Sequence, residues 1–311
     1  MNYRTDLALE TAEMLEKMRT ESTEVGEDGE LASPERNSTG YIIKRSQPDE
    51  DISVTAIEIT DEQGERAFGK RKGRYVTIEV QGMLEPKERI KERAAAVLSD
   101  ELSAFVKHDF FLKVLVVGLG NEKVTPDSLG PHTVDKVHIT AHLFKMFECK
   151  GDSDYSNVCG FTPSVTGVTG LETAELIEQL VAMTKPDALI AIDALAAKEI
   201  GRLSTTVQLC DTGIMPGAGM GNHRREISER TVGCPVIAIG VPTVIDARTL
   251  IEEAAEQLGG VESKELEKYL NSTELDMIVT STDIDQIIKD FSEVIANAIN
   301  ISLHPGIYSK V

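Results

Sequence analysis

Residues 114–131 read VLVVGLGNEKVTPDSLGP. Val114-Leu115-Val116-Val117 is a continuous apolar run rich in β-branched side chains, the pattern of a strand buried on both faces. It empties into the turn Gly118-Leu119-Gly120-Asn121, and a proline- and glycine-bounded loop then carries Asp127. Open α/β sheets build their sites at this position, just beyond the carboxyl end of a strand. A second apolar run, Ala188-Leu189-Ile190-Ala191-Ile192, ends on another acid, Asp193. Asp193 alone also fits a helix N-cap. Two acids converging at the mouths of two strands point instead to a paired-carboxylate hydrolase. Close carboxylates cannot both ionise readily, so one keeps its proton. The pair then divides base and acid roles on a water that attacks an amide.

Outward from these two runs the chain alternates strand and helix. Helices are predicted over residues 133–147 and 172–184, a buried strand over 235–241 and a helix over 247–257. The last helix spans 283–299, with Thr282 or Asp283 as its cap. This alternation predicts helix–sheet–helix layering around a mostly parallel or mixed sheet. Upstream, residues 5–20 predict a helix with Thr5 or Asp6 as N-cap. Residues 53–60 and 74–81 have strand character and make a hairpin-like unit across the polar stretch between them. Ile90, Ala94, Val97, Leu98, Leu102 and Phe105 form one stripe of an amphipathic helix over 86–105. Residues 21–40 read as an accessible loop, and 258–276 as a polar surface insertion.

A chain of 311 residues can bury a sizeable core, as one large domain or two smaller ones. With 32 Lys and Arg against 52 Asp and Glu, its formal net charge is −20. That balance argues against a nucleic-acid-binding surface, which needs clustered cations. It would attract a basic partner, although excess acid also simply confers solubility. No window approaches the roughly 20 apolar residues of a membrane span. The first residues lack an apolar signal core, so the chain reads as intracellular. Cys149, Cys159, Cys210 and Cys234 are widely spaced and form no CxxC pair, which reads as reduced thiols.

Other motifs carry weaker chemistry. The Gly118–Gly120 turn lacks the third glycine of a dinucleotide fingerprint, where Lys123 stands. His138 and His142 have the spacing of two helical metal ligands, but Ile139 occupies the glutamate position of the metalloprotease motif. Gly217-Ala218-Gly219-Met220-Gly221-Asn222-His223-Arg224-Arg225 is either an anion nest or a flexible connector. The stretch 166–173, TGVTGLET, resembles a turn feeding a helix N-terminus.

Taken together, several of these segments resemble one family. GLGN at 118–121, TPDSLGP at 125–131, GVTGLET at 167–173, IDALAA at 192–197 and GAGMGNHR at 217–224 are similar to the germination proteases of spore-forming bacteria. RTDLALE at 4–10, GVPTVIDA at 240–247 and LHPG at 303–306 extend the match over almost the whole chain. The resemblance implies an atypical aspartic-type endopeptidase that degrades small acid-soluble spore proteins at germination, within the forespore or spore core. It implies an α/β sandwich similar to hydrogenase maturation endopeptidases, with an added N-terminal hairpin. The family's two aspartates match Asp127 and Asp193. Family members are zymogens that remove a short N-terminal piece, and they assemble as homotetramers.

The expectation is therefore a single peptidase domain over 1–311, with residues 1–7 as an approximate short propeptide. Asp127 and Asp193 would share a proton and orient water, with no cofactor and no metal. Gly118, Gly120, Asn121, Lys123, Gly219, Gly221 and His223 are the candidates for contacts to substrate or oxyanion. Small acid-soluble spore proteins are the expected substrate, without direct contact to nucleic acid or membrane. Two other readings remain: a metal-dependent maturation-type endopeptidase in which the acids and His223 bind a divalent ion, and a non-enzymatic acidic protein that sequesters a basic partner.

Overall fold

A computed structural model describes residues 5–23, 40–83, 85, 87–217, 224–257, 268–270, 272–273 and 277–308. Helix α1 (Ala8–Thr23) leads into strands β1 (Tyr41–Asp49) and β2 (Ile52–Ile59), helix α2 (Glu62–Phe68), strand β3 (Gly73–Val80) and helix α3 (Ile90–Ser103). The α/β part follows with β4 (Lys113–Gly118), α4 (Leu129–Val134), α5 (Ala141–Met146), β5 (Asn157–Phe161), α6 (Thr166–Thr169), α7 (Thr173–Thr184) and β6 (Ala188–Ala197). It closes with β7 (Thr206–Cys210), α8 (Glu229–Val232), β8 (Val236–Asp246), α9 (Ala247–Gln257), β9 (Ile278–Thr280) and α10 (Ile284–Leu303).

Among the described residues, one mixed sheet has the order β1-β2-β3-β7-β8-β6-β4-β5, with β9 also paired to β8. Strands β8, β6, β4 and β5 run parallel, while β1, β2, β3 and β7 are antiparallel. The parallel strands are apolar on both faces because helices cover both. Val114, Val116, Ile190 and Ile192 join the core beneath α3, α4 and α10. Leu115, Val117, Leu189 and Ala191 pack on the other face against α7 and α8. The α3 stripe is seated as its spacing predicts, with Ile90, Ala94, Leu98 and Leu102 all buried.

Several boundaries differ from the sequence reading, each for a tertiary reason. The single helix expected over 133–147 is two, α4 and α5. Thr140 breaks it by pairing with the start of β5: its N–H reaches the Val158 carbonyl at 3.1 Å, and its hydroxyl accepts from the Val158 N–H at 2.9 Å. The Asn300 side chain bridges the break, accepting from His138 N–H at 2.8 Å and donating to the Lys136 carbonyl at 3.2 Å. The hairpin of β2 and β3 forms, but a helix, α2, fills its connection, capped by the Asp61 carboxylate. Strands β1 and β7 were not foreseen, and β6 runs five residues beyond Ile192. The loop read at 21–40 and the insertion at 258–276 fall mostly outside the described residues. None of the four cysteines is in a disulfide, and Cys210 and Cys234 are buried.

The two histidines with metal-ligand spacing are drawn apart in role. His142 is exposed, while the His138 ring stacks edge-on with His304, centroids 5.4 Å apart. His304 is fully buried. Its Nε2 lies 2.9 Å from the His138 carbonyl, which can only accept, so the proton sits on Nε2. Its Nδ1 is buried without a partner. Burial pushes this imidazole down to about 4. The unfolded chain therefore binds more protons than the folded one between pH 4 and the ordinary histidine value, about 6.5. Stability from neutral His304 is complete above that window and is lost as pH falls through it. The thermal midpoint should drop across this interval, and His304→Gln should lower it at pH 7 while flattening the drop. An unchanged slope in the variant, read by circular dichroism melts, would assign the acid sensitivity elsewhere.

Candidate active site

The first acid is positioned by a turn that closes on itself. After β4 ends, the Leu119 N–H still reaches the Ile192 carbonyl at 2.8 Å, which ties the turn to β6. Gly120 then takes φ +105°. This lets the Asn121 N–H donate to both the Asp127 backbone oxygen, at 3.0 Å, and its Oδ2, at 2.8 Å. A Cβ at position 120 would run into the Asp127 carbonyl oxygen, so only glycine permits the closure. Asp127 ends a single 3-10 turn, Thr125–Asp127. From β8, the Thr243 hydroxyl donates to the Pro126 carbonyl at 2.7 Å and pins that turn over the sheet.

The second acid is not at a strand end. Asp193 lies inside β6, opposite Gly240 of β8, and the strand continues to Ala197. Its side chain has 5% of its surface exposed and accepts one hydrogen bond, from the Ala194 N–H at 2.9 Å. It is therefore no helix cap. β4 stops at Gly118, opposite Ile192, so beyond that point β6 has lost one neighbour. Both acids open into the resulting cleft of about 420 Å³, with Gly120, Arg224 and Thr243 also in its wall.

A third carboxylate stands in the same wall, Asp6. The N-terminal segment enters the mouth of the sheet and is held there closely. The Asp6 N–H donates to the Ala196 carbonyl at 3.1 Å, and the Ala196 N–H returns a bond to Asp6 Oδ2 at 2.9 Å. Leu7 is fully buried beside Leu195 and Ala197. Glu10, also fully buried, accepts from the N–H groups of Lys198 and Glu199 and from the Thr5 hydroxyl.

The surroundings raise both candidate acids, Asp193 further than Asp127. Burial raises Asp193 well above the usual carboxylate range, and the charges of Asp127 and Asp6 raise it further. Burial also raises Asp127, but the Asn121 N–H and the Arg224 guanidinium oppose it. The charge of Asp127 is one cause of the rise at Asp193, so of the two acids Asp193 holds its proton the more strongly. Two acids of unequal strength in the wall of one cleft can deliver and accept protons on a bound carbonyl compound. Among the described residues, no group of three or more His, Cys, Asp and Glu side chains has metal-binding geometry.

The remaining sequence candidates are placed unevenly. Gly120 lines the cleft, and Asn121 contributes its backbone N–H to Asp127. Gly118 is buried against the Gly130 carbonyl and does not reach the cleft wall. Lys123 is exposed and outside that wall. Gly219, Gly221 and His223 fall outside the described residues, although Gly217 and Arg224, which flank them, both line the cleft. Sequence reasoning missed Asp6, Arg224 and Thr243 as site residues. In the sequence Asp6 is a possible helix cap within the motif RTDLALE and the expected propeptide, and the other two lie in quoted motifs whose strand or loop setting does not say which way they face.

A family model described as germination protease matches residues 8–268 of the chain. A germination protease of Caldanaerobacter subterraneus subsp. tengcongensis is 39% identical, over 100% of this chain and 97% of the relative. One of Clostridium acetobutylicum is 38% identical, over 98% of this chain and 96% of the relative. Among solved structures, the NiFe hydrogenase maturation protease HycI of Thermococcus kodakarensis KOD1 aligns over 66% of this chain and 99% of its own, at 18% identity and a TM-score of 0.33.

Two stability effects follow from this geometry. The raised carboxyl of Asp193 favours the folded state below the ordinary aspartate value, about 3.9, and that contribution is lost as pH rises toward its folded value. Asp193→Asn should therefore melt higher than wild type at pH 7, with the difference vanishing near pH 4. An equal or lower midpoint at pH 7 would mean that the carboxylate is not strained by burial. Gly120→Ala should cost about 1–3 kcal/mol or more in denaturant melts, because it forces a side chain into a left-handed backbone and onto Asp127.

Proposed function

The chain belongs to the germination protease family, and we propose that it cleaves peptide bonds with the carboxyl pair Asp127 and Asp193. The observation that carries this reading is two acids of unequal strength in one cleft: burial raises both, Asp193 the further, while the Asn121 N–H and the Arg224 guanidinium limit the rise at Asp127. Asp127 takes a proton from water as its oxygen attacks the substrate carbonyl carbon. Asp193 gives its proton to the departing amine nitrogen, and the proton held by Asp127 then restores Asp193. The balance is one water consumed and one peptide bond split into a carboxylic acid and an amine.

The substrates in this reading are the small acid-soluble DNA-binding proteins of the spore, degraded at germination. The net charge of −20 supports capture of such a protein without a nucleic-acid surface of its own. In this reading the chain acts inside the spore, where those proteins are degraded at germination. We further propose that it is a self-processing zymogen, with residues 1–7 as the inhibitory piece. Support comes from Asp6, which occupies the cleft wall beside both acids, and from Leu7, which is buried there. A homotetramer would cover the exposed apolar side chains of Phe110, Phe111, Met146 and Phe147 and the edge strand β5.

The test is cleavage of a small acid-soluble spore protein by wild type, Asp127→Asn and Asp193→Asn, each with and without EDTA. Each substitution should lower the rate by about 10²–10⁴-fold, the usual worth of a general acid or base. EDTA should change nothing. Retained activity in either variant would remove that residue from the mechanism, and loss with EDTA would move the chemistry to a metal ion.

A further inference from the structure

A second cavity, of about 250 Å³, adjoins the first, and Asp6, Asp193, Ala194, Leu195 and Gly217 belong to the walls of both. Its far wall contains Lys70, which follows α2, and Gln208 of β7. Neither residue was picked out by the sequence, and neither has a part in the acid pair. Both are aimed at one atom. Lys70 Nζ donates to the backbone carbonyl oxygen of Asp6 at 2.9 Å, and Gln208 Nε2 donates to the same oxygen at 2.9 Å. Gln208 also accepts from the Ala8 N–H through its Oε1, at 2.7 Å, so its amide orientation is fixed with the nitrogen toward that oxygen.

An ammonium and a carboxamide converging on one main-chain carbonyl, next to a protonated acid, is an unusual arrangement for mere anchoring. Anchoring of this segment is already supplied by Ala196, by the burial of Leu7 and by the bonds to Glu10. Burial lowers Lys70 from its ordinary value, against the pull of the Asp6 carboxylate. Keeping an ammonium in such a place costs stability unless it serves something. Peptide hydrolysis turns a carbonyl oxygen into an oxyanion, and donors fixed beforehand at that oxygen are the largest usual source of rate.

We propose that Lys70 and Gln208 form the carbonyl clamp of this enzyme: they hold and polarise the oxygen of the peptide group that is cleaved. The N-terminal segment of the chain now occupies the place a substrate strand takes. In the reaction, water adds to the carbonyl carbon as Asp127 takes its proton. The π electrons move onto the oxygen held by Lys70 and Gln208. They return as the C–N bond breaks and Asp193 protonates the nitrogen. No further reactant is needed. The inference rests on the acid-pair reading and assigns the oxyanion partners that the reading leaves open.

The experiment uses the full chain and a small acid-soluble spore protein, with kcat and KM measured separately. The variants are Lys70→Met, Lys70→Arg, Gln208→Met and, as reference, Asp193→Asn. Mass spectrometry of the chain's own N-terminus in the same incubations supplies a second cleavage readout, should the added protein be ignored. Lys70→Met should lower kcat by about 10²–10³-fold, the usual loss for one oxyanion donor, with little change in KM. Lys70→Arg, which keeps a charged donor, should recover part of that loss, and Gln208→Met should fall between. If Lys70 only pinned the N-terminal segment, Lys70→Met would free the cleft and cleave the added protein as fast as wild type or faster; that result overturns the clamp. If Lys70→Met failed to fold by circular dichroism, the decision would pass to Lys70→Arg and Gln208→Met, and wild-type kcat in Gln208→Met would overturn it. Full activity in Asp193→Asn would instead refute the acid pair, a failure distinguishable from that of the clamp.

Discussion

Asp193 sits inside a strand, where its carboxyl group has given up nearly all its water and, among the described residues, receives a single N–H, from Ala194, in exchange. Burial disfavours the ionised carboxylate in such a place, so the group holds its proton more strongly than an ordinary aspartate. Much of the surrounding architecture follows from that one constraint. β4 must stop at Gly118 for the site to open at all, while β6 must run on to Ala197 to carry the acid within the sheet. The partner acid must then be delivered from a loop, where it can stay wetter and charged. The Gly120 turn, the Asn121 N–H and the Thr243 hydroxyl do this.

The unpaired mouth of the sheet also explains where the N-terminal segment goes. Beyond Ile192 the backbone of β6 lacks β4 as a partner, and its polar groups need satisfaction. Asp6 and Glu10 supply acceptors for the N–H groups of Ala196, Lys198 and Glu199. The same residues that complete the sheet thereby fill the cleft. Residues 5–7, ahead of α1, bind through backbone groups and the Asp6 carboxylate, and this is why their contacts are informative about substrate.

Much of the layering was legible because buried parallel strands and amphipathic helices write strong local patterns. The runs at 114–117 and 188–192, and the α3 stripe from Ile90 to Leu102, needed no tertiary information. Both acids could be picked out as residues placed after apolar runs. The character of Asp193 could not: a strand that continues through an acid looks, locally, like one that ends on it. β7 and the break at Thr140 were illegible for a related reason, since each is fixed by pairing with residues 18 or more positions away. The resemblance to germination proteases located Asp127 and Asp193 but not Asp6, Lys70 or Gln208. These three meet only because α2, β7 and the N-terminus converge, and their spacing of 64 and 202 residues carries no local signal.

The charge of the cleft departs from that of the chain. The chain carries 20 more acids than bases, and three carboxyl groups crowd this cleft, where burial raises both Asp127 and Asp193. Left so, Asp127 would tend toward its neutral form and lose its use as a base. Arg224 opposes this at Asp127, while Lys70 faces Asp6. Asp6 itself raises Asp193. Departure of the N-terminal segment would therefore do more than clear space. It would remove one of the two negative charges that hold the proton on Asp193 and admit water to the cleft, and both changes make Asp193 a readier acid. Occupation of the site and the strength of its acid are thus coupled through a single side chain.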